Sequence, residues 1–205
     1  KAEASMESER IRSGLLSSVS DDLRTPLASI VGSASALRTL GDKLSKADRQ
    51  DMLAAIEEEA SRLNRFVSNL LDMTKLEAGV LDLRHDLIDV GDSVASAVQR
   101  ARKVFAQRTV EMVLPEGAAL VLGSASLLEQ VVFNLLDNAH KYSTPGTPTR
   151  VEVSSQHSEH VIAVSDAGAG IPAEALEKVF DKFYRVAGSD GRAPGTGLGL
   201  AICAA

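Results

Sequence analysis

Leu53, Ile56, Ala60, Leu63, Val67, Leu70 and Thr74 follow one another at strict 3-4-3-4 spacing. A heptad seam of this kind demands a long amphipathic helix with a partner for its apolar stripe. A similar stripe precedes it. Ile11, Leu15, Val19, Leu23, Leu27, Ile30, Ala34 and Leu37 are separated by threes and fours, which predicts a helix from about Ala4 to Leu40. Pro26 offers no N–H to the carbonyl of Asp22, so a local kink is expected there. Gly41-Asp42 and Ser45 through Asp48 supply turn and capping chemistry between the two helices. Two antiparallel helices joined in this way expose more seam than they cover. A dimer forming a four-helix bundle is the economical solution, and a monomeric bundle completed by the rest of the chain is the alternative.

Beyond Ala78-Gly79 the heptad stops and the rhythm shortens. Leu87 to Val90 reads as a first short strand and about Asp92 to Phe105 as a helix. Thr109 to Leu114, Ala118 to Leu122, Thr149 to Ser155 and His160 to Ser165 read as further strands. Strands mixed with helices in this order predict a sheet with helices on one face, an α+β layer. The expected organisation is therefore a helical hairpin over residues 1–78, a linker over 79–86 and a second domain over 87–205.

Composition narrows the possible functions. A formal charge of −6 speaks against nonspecific nucleic-acid binding as the main activity. The single cysteine, Cys203, leaves no internal disulfide and fits a reducing compartment. No apolar run approaches the ~20 residues that span a bilayer, and no signal peptide opens the chain. Lys1 already lies inside a charged helical pattern, so the chain reads as a piece of something longer.

Three stretches in the second half carry candidate chemistry. In Val131 to Tyr142 the apolar residues Val131, Leu135 and Ala139, with Val132 and Leu136 beside them, predict one buried helical face. Asn134 and Asn138 lie one turn apart on another flank, and Lys141 continues it. An amide oxygen can ligate Mg²⁺ and an ammonium can meet a phosphate, so this flank suits a metal-bound polyphosphate; a merely solvated surface is the plain alternative. The strand ending at Ser165 runs into Asp166-Ala167-Gly168-Ala169-Gly170, which places a carboxylate beside backbone that a ligand can approach. Gly195-Thr196-Gly197-Leu198-Gly199 is a glycine-rich turn entering an apolar helix, preceded by a loop from Val186 to Pro194 that reads as mobile. Backbone N–H groups at such a turn can hold phosphate. The turn lacks the Gly-Lys-Ser/Thr of a Walker loop, and no strand directly precedes it as in a dinucleotide fingerprint.

In this order the elements resemble the nucleotide-binding boxes of sensor histidine kinases. Asn134 to Tyr142 resembles the N box and Asp166 to Gly170 the first glycine box. Phe180 to Tyr184 is similar to the F box, and Gly195 to Leu200 to the second glycine box. Ser20 to Leu27 resembles the phosphoacceptor box. The runs Asp22 to Leu27 and Gly197 to Cys203 look particularly like the Kdp-type potassium-responsive sensor kinases. The resemblance implies a dimeric helical hairpin joined to an ATP-binding domain of the Bergerat type, an α/β sandwich, in the cytoplasmic portion of a membrane-anchored bacterial sensor. It implies ATP and Mg²⁺ as ligands and a response regulator as partner. Asn138 would hold Mg²⁺, Asn134 would orient phosphates, Lys141 would contact phosphate and Tyr142 would lie along the adenine. Asp166 would accept the adenine amino hydrogen, with Gly168 and Gly170 allowing the base to approach. Arg185 and Arg192 would reach the phosphates. Gly195, Gly197 and Gly199 would form a hinge, with Thr196 and Leu198 offering backbone donors.

Two departures qualify this. Where the family carries its phosphorylated histidine this chain has Asp21, so autophosphorylation is expected to be lost, although the neighbouring acid, Asp22, is present. His85, His140, His157 and His160 lie outside that helix, and His140 reads as surface. Thr25, four residues after Asp21, matches the family's phosphatase position, an activity that does not require the histidine. A pseudokinase that holds a response regulator without phosphotransfer is the second reading, and another Bergerat ATPase the third. Ala205 falls a short way into the last helix, where members of the family continue, so an incomplete ATP-binding domain is expected.

Overall fold

The computed structural model describes residues 20, 23–79, 86–105, 109–156, 159–186 and 196–205. Asp21, Asp22, Arg192 and Gly195 lie outside the described residues. The chain divides into two compact units, Lys1–Thr74 and Lys75–Ala205.

The first unit is the helical hairpin. Helix α1 covers residues 23–40 and continues across the fully buried Pro26. A 3-10 turn, Gly41–Lys43, leads to α2, Lys46–Glu77. The start of α2 is set by Ser45, whose hydroxyl accepts from the backbone N–H of Asp48 at 3.1 Å and donates to the Asp48 carboxylate at 2.7 Å. This reciprocal cap satisfies one of the four N–H groups that a helix start leaves without an internal partner. The Arg49 guanidinium donates to the Gly41 carbonyl at 2.9 Å and closes the connection from the other side.

The heptad seam of α2 splits into two rows. Ile56, Leu63 and Leu70 are half-buried, whereas Leu53, Ala60, Val67 and Thr74 are exposed. The residues most deeply covered are Phe66 and Met73, seven apart and beside the half-buried row. Three of the seven predicted seam residues are therefore partly packed within the chain, and four are uncovered.

In the second unit, strand β1 (Asp86–Asp89) leads straight into α3 (Val90–Val104). Asp89 caps that helix by accepting from the Gly91 N–H at 2.8 Å. Strands β2 (Val110–Val113) and β3 (Leu120–Gly123) follow, then α4 (Ala125–Tyr142), β4 (Thr149–Gln156), β5 (Glu159–Ser165), two short 3-10 turns and α5 (Gly199–Ala204). The predicted single sheet is two sheets. β1 pairs with β3 in an antiparallel ribbon, and β2, β4 and β5 form a second sheet. In that sheet β2 runs parallel to β4 and β5 antiparallel to it. The ribbon is tied to the start of α3, where the Val90 N–H donates to the Ala119 carbonyl at 2.9 Å. The segment between β2 and β3 thus separates two neighbours in sequence into different sheets.

The core lies between the helices and the three-stranded sheet. Val94, Ala97, Val98 and Ala101 of α3 meet Val132, Phe133 and Leu136 of α4 over Val151 and Val153 of β4. Valine and alanine at these positions let the helices approach closely, and the alternation along β4 puts Thr149, Val151 and Val153 on the buried side. With its apolar face fixed on this core, α4 must turn its asparagine flank elsewhere.

Candidate nucleotide site

Asn134 lies on α4 and is buried, and Asn138 one turn later is half-buried. The Asn134 amide donates to the carbonyl of Gly199, at the start of α5, at 3.5 Å. Helix α4 and the last helix are joined at this point, although 65 residues separate them in sequence.

The end of α4 meets the loop that follows β5. Gly168 forms an isolated antiparallel bridge with Ser143. A Cβ at Gly168 would fall 2.7 Å from the Tyr142 carbonyl oxygen and 2.8 Å from an Asp166 carboxylate oxygen, so only glycine fits. Asp166 is exposed and accepts from the Gly168 N–H at 2.7 Å, which shapes the turn. Gly170 adopts φ +75° with open space around its Cα. The exposed Tyr142 and Asp166 are thereby held at one edge of the unit.

A third junction joins the segment after the 3-10 turn Lys178–Phe180 to the glycine-rich turn. The Phe183 N–H donates to the Gly197 carbonyl at 2.9 Å. Phe183 has φ 63° and Gly197 φ 66°, both left-handed. A Cβ on Gly197 would lie 2.6 Å from the Phe183 carbonyl carbon. Thr196 accepts from the Leu198 N–H at 3.3 Å, and the Leu198 side chain is fully buried.

Three predicted stretches are thus linked directly, by Asn134 to Gly199 and by Tyr142 to Gly168. The fourth, which ends at Tyr184, joins them through Gly197. Four weak motifs converge through named contacts. The family comparison agrees. The family described as histidine kinase-, DNA gyrase B- and HSP90-like ATPase matches residues 123–205, and the His kinase A phospho-acceptor domain matches residues 11–79.

The chain belongs to the sensor histidine kinases.

It has the architecture of their transmitter core, a helical hairpin followed by an α/β ATPase domain. A sensor protein KdpD of Clostridium acetobutylicum is 39% identical over 205 residues, which cover 99% of this chain and 23% of that relative. The chain therefore spans about a quarter of the length of the curated relatives it matches. Among solved structures, a mycobacterial sensor histidine kinase, MprB, is 30% identical with a TM-score of 0.52, covering 58% of this chain and 76% of that one. The histidine kinase AdeS of Acinetobacter baumannii shares the fold over 88% of this chain and 82% of its own, with a TM-score of 0.59 and 24% identity.

Within this histidine kinase core, some predicted site residues have partners that the motif reading did not include. Lys141 pairs with Asp137, one turn earlier on α4, and both are half-buried. The i,i+4 spacing was the available signal. The Leu198 N–H, expected as a donor to phosphate, donates to Thr196 instead. His140 is half-buried rather than a surface residue, its ring stacked on Phe105 at 4.3 Å between centroids. Arg185 and Thr25 are exposed, Thr25 on α1 in the other unit. Among the described residues no group of three or more His, Cys, Asp or Glu could hold a metal ion, and no helix is long and apolar enough to cross a membrane.

Proposed function

We propose that this transmitter core binds Mg-ATP beside the asparagine flank of α4 and takes part in phosphorelay signalling to a response regulator. The observation that carries the proposal is the convergence of Asn134, Tyr142, Gly168, Phe183 and Gly197 through direct contacts. Asn138 offers an amide oxygen to the metal. Mg²⁺ keeps most of its water and is usually held by one or two protein groups and the phosphates, so the lack of an acidic cluster among the described residues fits it. When bound, the ion would neutralise charge on the triphosphate. Asp166, exposed and already oriented by Gly168, would accept the adenine amino hydrogen, with Tyr142 along the base and Gly170 leaving room for it. Lys141 would reach phosphate by leaving Asp137, and Arg185 would approach from outside. Gly195, Thr196, Gly197, Leu198 and Gly199 would supply the hinge.

The hairpin would pair with a second copy of itself through Leu53, Ala60 and Val67, the exposed row of the α2 seam. The rest of the sensor would place this core on the cytoplasmic side of a membrane.

Asp21 occupies the acceptor position. A neutral imidazole is a good nucleophile near pH 7, whereas acyl phosphate formation on a carboxylate usually needs a metal-lined pocket. The core would bind ATP without labelling itself, and Thr25 would leave it a response-regulator phosphatase. Asp22, beside the acceptor position, would orient an imidazole placed there. Incubation with γ-labelled ATP tests this: no stable label on the chain as it stands, and label on Asp21→His. Label on the unaltered protein would refute the loss of autokinase activity. A pseudokinase that holds a response regulator is the reading favoured if Asp21→His also stays unlabelled.

A further inference from the structure

Helix α5 is held on α4 by more than apolar packing. The carbonyl of Gly199 receives the Asn134 amide at 3.5 Å. One turn further along α5, the Cys203 thiol donates to the Val131 carbonyl at 3.7 Å. Gly199 and Cys203 are four apart on α5, and Val131 and Asn134 three apart on α4, so each pair lies on one face of its helix. Asn134 is buried at 7% exposure, so its amide depends on the Gly199 carbonyl.

We propose that Asn134 and Cys203 form a two-point latch that sets the register of α5 on α4, and that Cys203 is a positioning residue for the nucleotide site. It acts through the seating of α5 on α4 at Val131, and touches neither nucleotide nor metal. This rests on the Mg-ATP reading above for its functional consequence but not for the latch itself. The surroundings of the thiol agree with a closed position: burial pushes Cys203 up to about 11, and the Asn134 contact draws it part of the way back. A thiol so placed is a hydrogen-bonding group and a poor nucleophile at neutral pH.

The test has two arms on the whole 205-residue chain. Mg-ATP affinity is measured for Cys203→Ala and Cys203→Ser. Loss of one hydrogen-bonding group should weaken binding by about 5- to 10-fold in the alanine variant, with most of it restored by the serine hydroxyl. Without nucleotide, the rate of iodoacetamide labelling at this single cysteine is compared between the unaltered chain, Asn134→Ala and the near-isosteric Asn134→Leu. The latch predicts labelling faster by about 10-fold in whichever Asn134 variant folds. A Val98→Ala control should lower the melting temperature without that acceleration. Serine binding no better than alanine overturns the positioning role, and an unchanged labelling rate overturns the latch. If the unaltered chain binds no Mg-ATP, the functional reading and the positioning role both fall, and the labelling arm alone decides the latch.

Discussion

The N–H of Phe183 donates to the carbonyl of Gly197, and both residues hold left-handed backbone conformations, φ 63° and 66°. A phenylalanine rarely adopts that region, which costs an L-residue about 1–2 kcal/mol. Here it closes the chain from residue 183 to residue 197 and lets the two backbones touch. The conformational cost falls where two of the motifs meet, as strained backbone at functional sites commonly does.

Gly197→Ala should therefore damage both fold and site. A Cβ there meets Phe183 backbone at 2.6 Å, and the left-handed conformation adds its own penalty. The variant should lose about 2 kcal/mol or more of stability, with a fall of at least ~10-fold in nucleotide affinity. Thermal unfolding and equilibrium titration check the two effects. A variant with unchanged melting and affinity would mean that the junction between Phe183 and Gly197 does not matter.

Gly168 and Gly170 separate two uses of glycine. Gly168→Ala would press on the Tyr142 carbonyl and on Asp166, so it should weaken nucleotide binding by about 10-fold or more. Gly170→Ala meets open space and carries mainly the left-handed penalty, about 1–2 kcal/mol. Its Cβ would also take space left for the adenine, so affinity should fall too, without the packing clash that Gly168→Ala creates. Comparing the two substitutions by titration and denaturant unfolding tests the assignment.

The exposed row of the α2 seam predicts an oligomer. Leu53→Glu together with Val67→Glu should raise the dimer dissociation constant by about 100-fold or more, because each carboxylate would enter an apolar interface unpaired. Both side chains are about half exposed within one chain, so helicity should be kept. Sedimentation and circular dichroism measure the two. A chain that is already monomeric before substitution would contradict the prediction.

Cys203 gives a pH dependence with a defined sign. Its folded value is raised to about 11 from 9.0 by burial, so the folded state keeps a proton that the unfolded state has lost. The contribution to stability is complete below about 9 and falls away as pH rises toward about 11. Cys203→Ser should flatten the decline over that window in denaturant unfolding.

Much of this is legible in the sequence. The heptad of α2 and the pattern of α4 are local periodicities, and both helices lie where the spacing puts them. Periodicity cannot say which row of a seam is covered, so the exposure of Leu53 and Val67 beside half-buried Ile56 and Leu63 came only with the structure. Strand partners are equally non-local: β3 lies next to β2 in sequence but pairs with β1. At the site, motif order named the segments but not their junctions. The contact of Asn134 with Gly199 and that of Phe183 with Gly197 depend on how distant segments pack. The pairing of Lys141 with Asp137 follows from their i,i+4 spacing, and a phosphate role for Lys141 does not include it.

The decisive comparison is equilibrium binding of ATP with and without Mg²⁺ in the unaltered chain and in Asn138→Ala. The unaltered chain should bind ATP more tightly when Mg²⁺ is present, and Asn138→Ala should remove the metal-dependent gain while residual binding remains. Equal metal dependence in both proteins, or no ATP binding by the unaltered chain, would contradict Mg-ATP binding at this site.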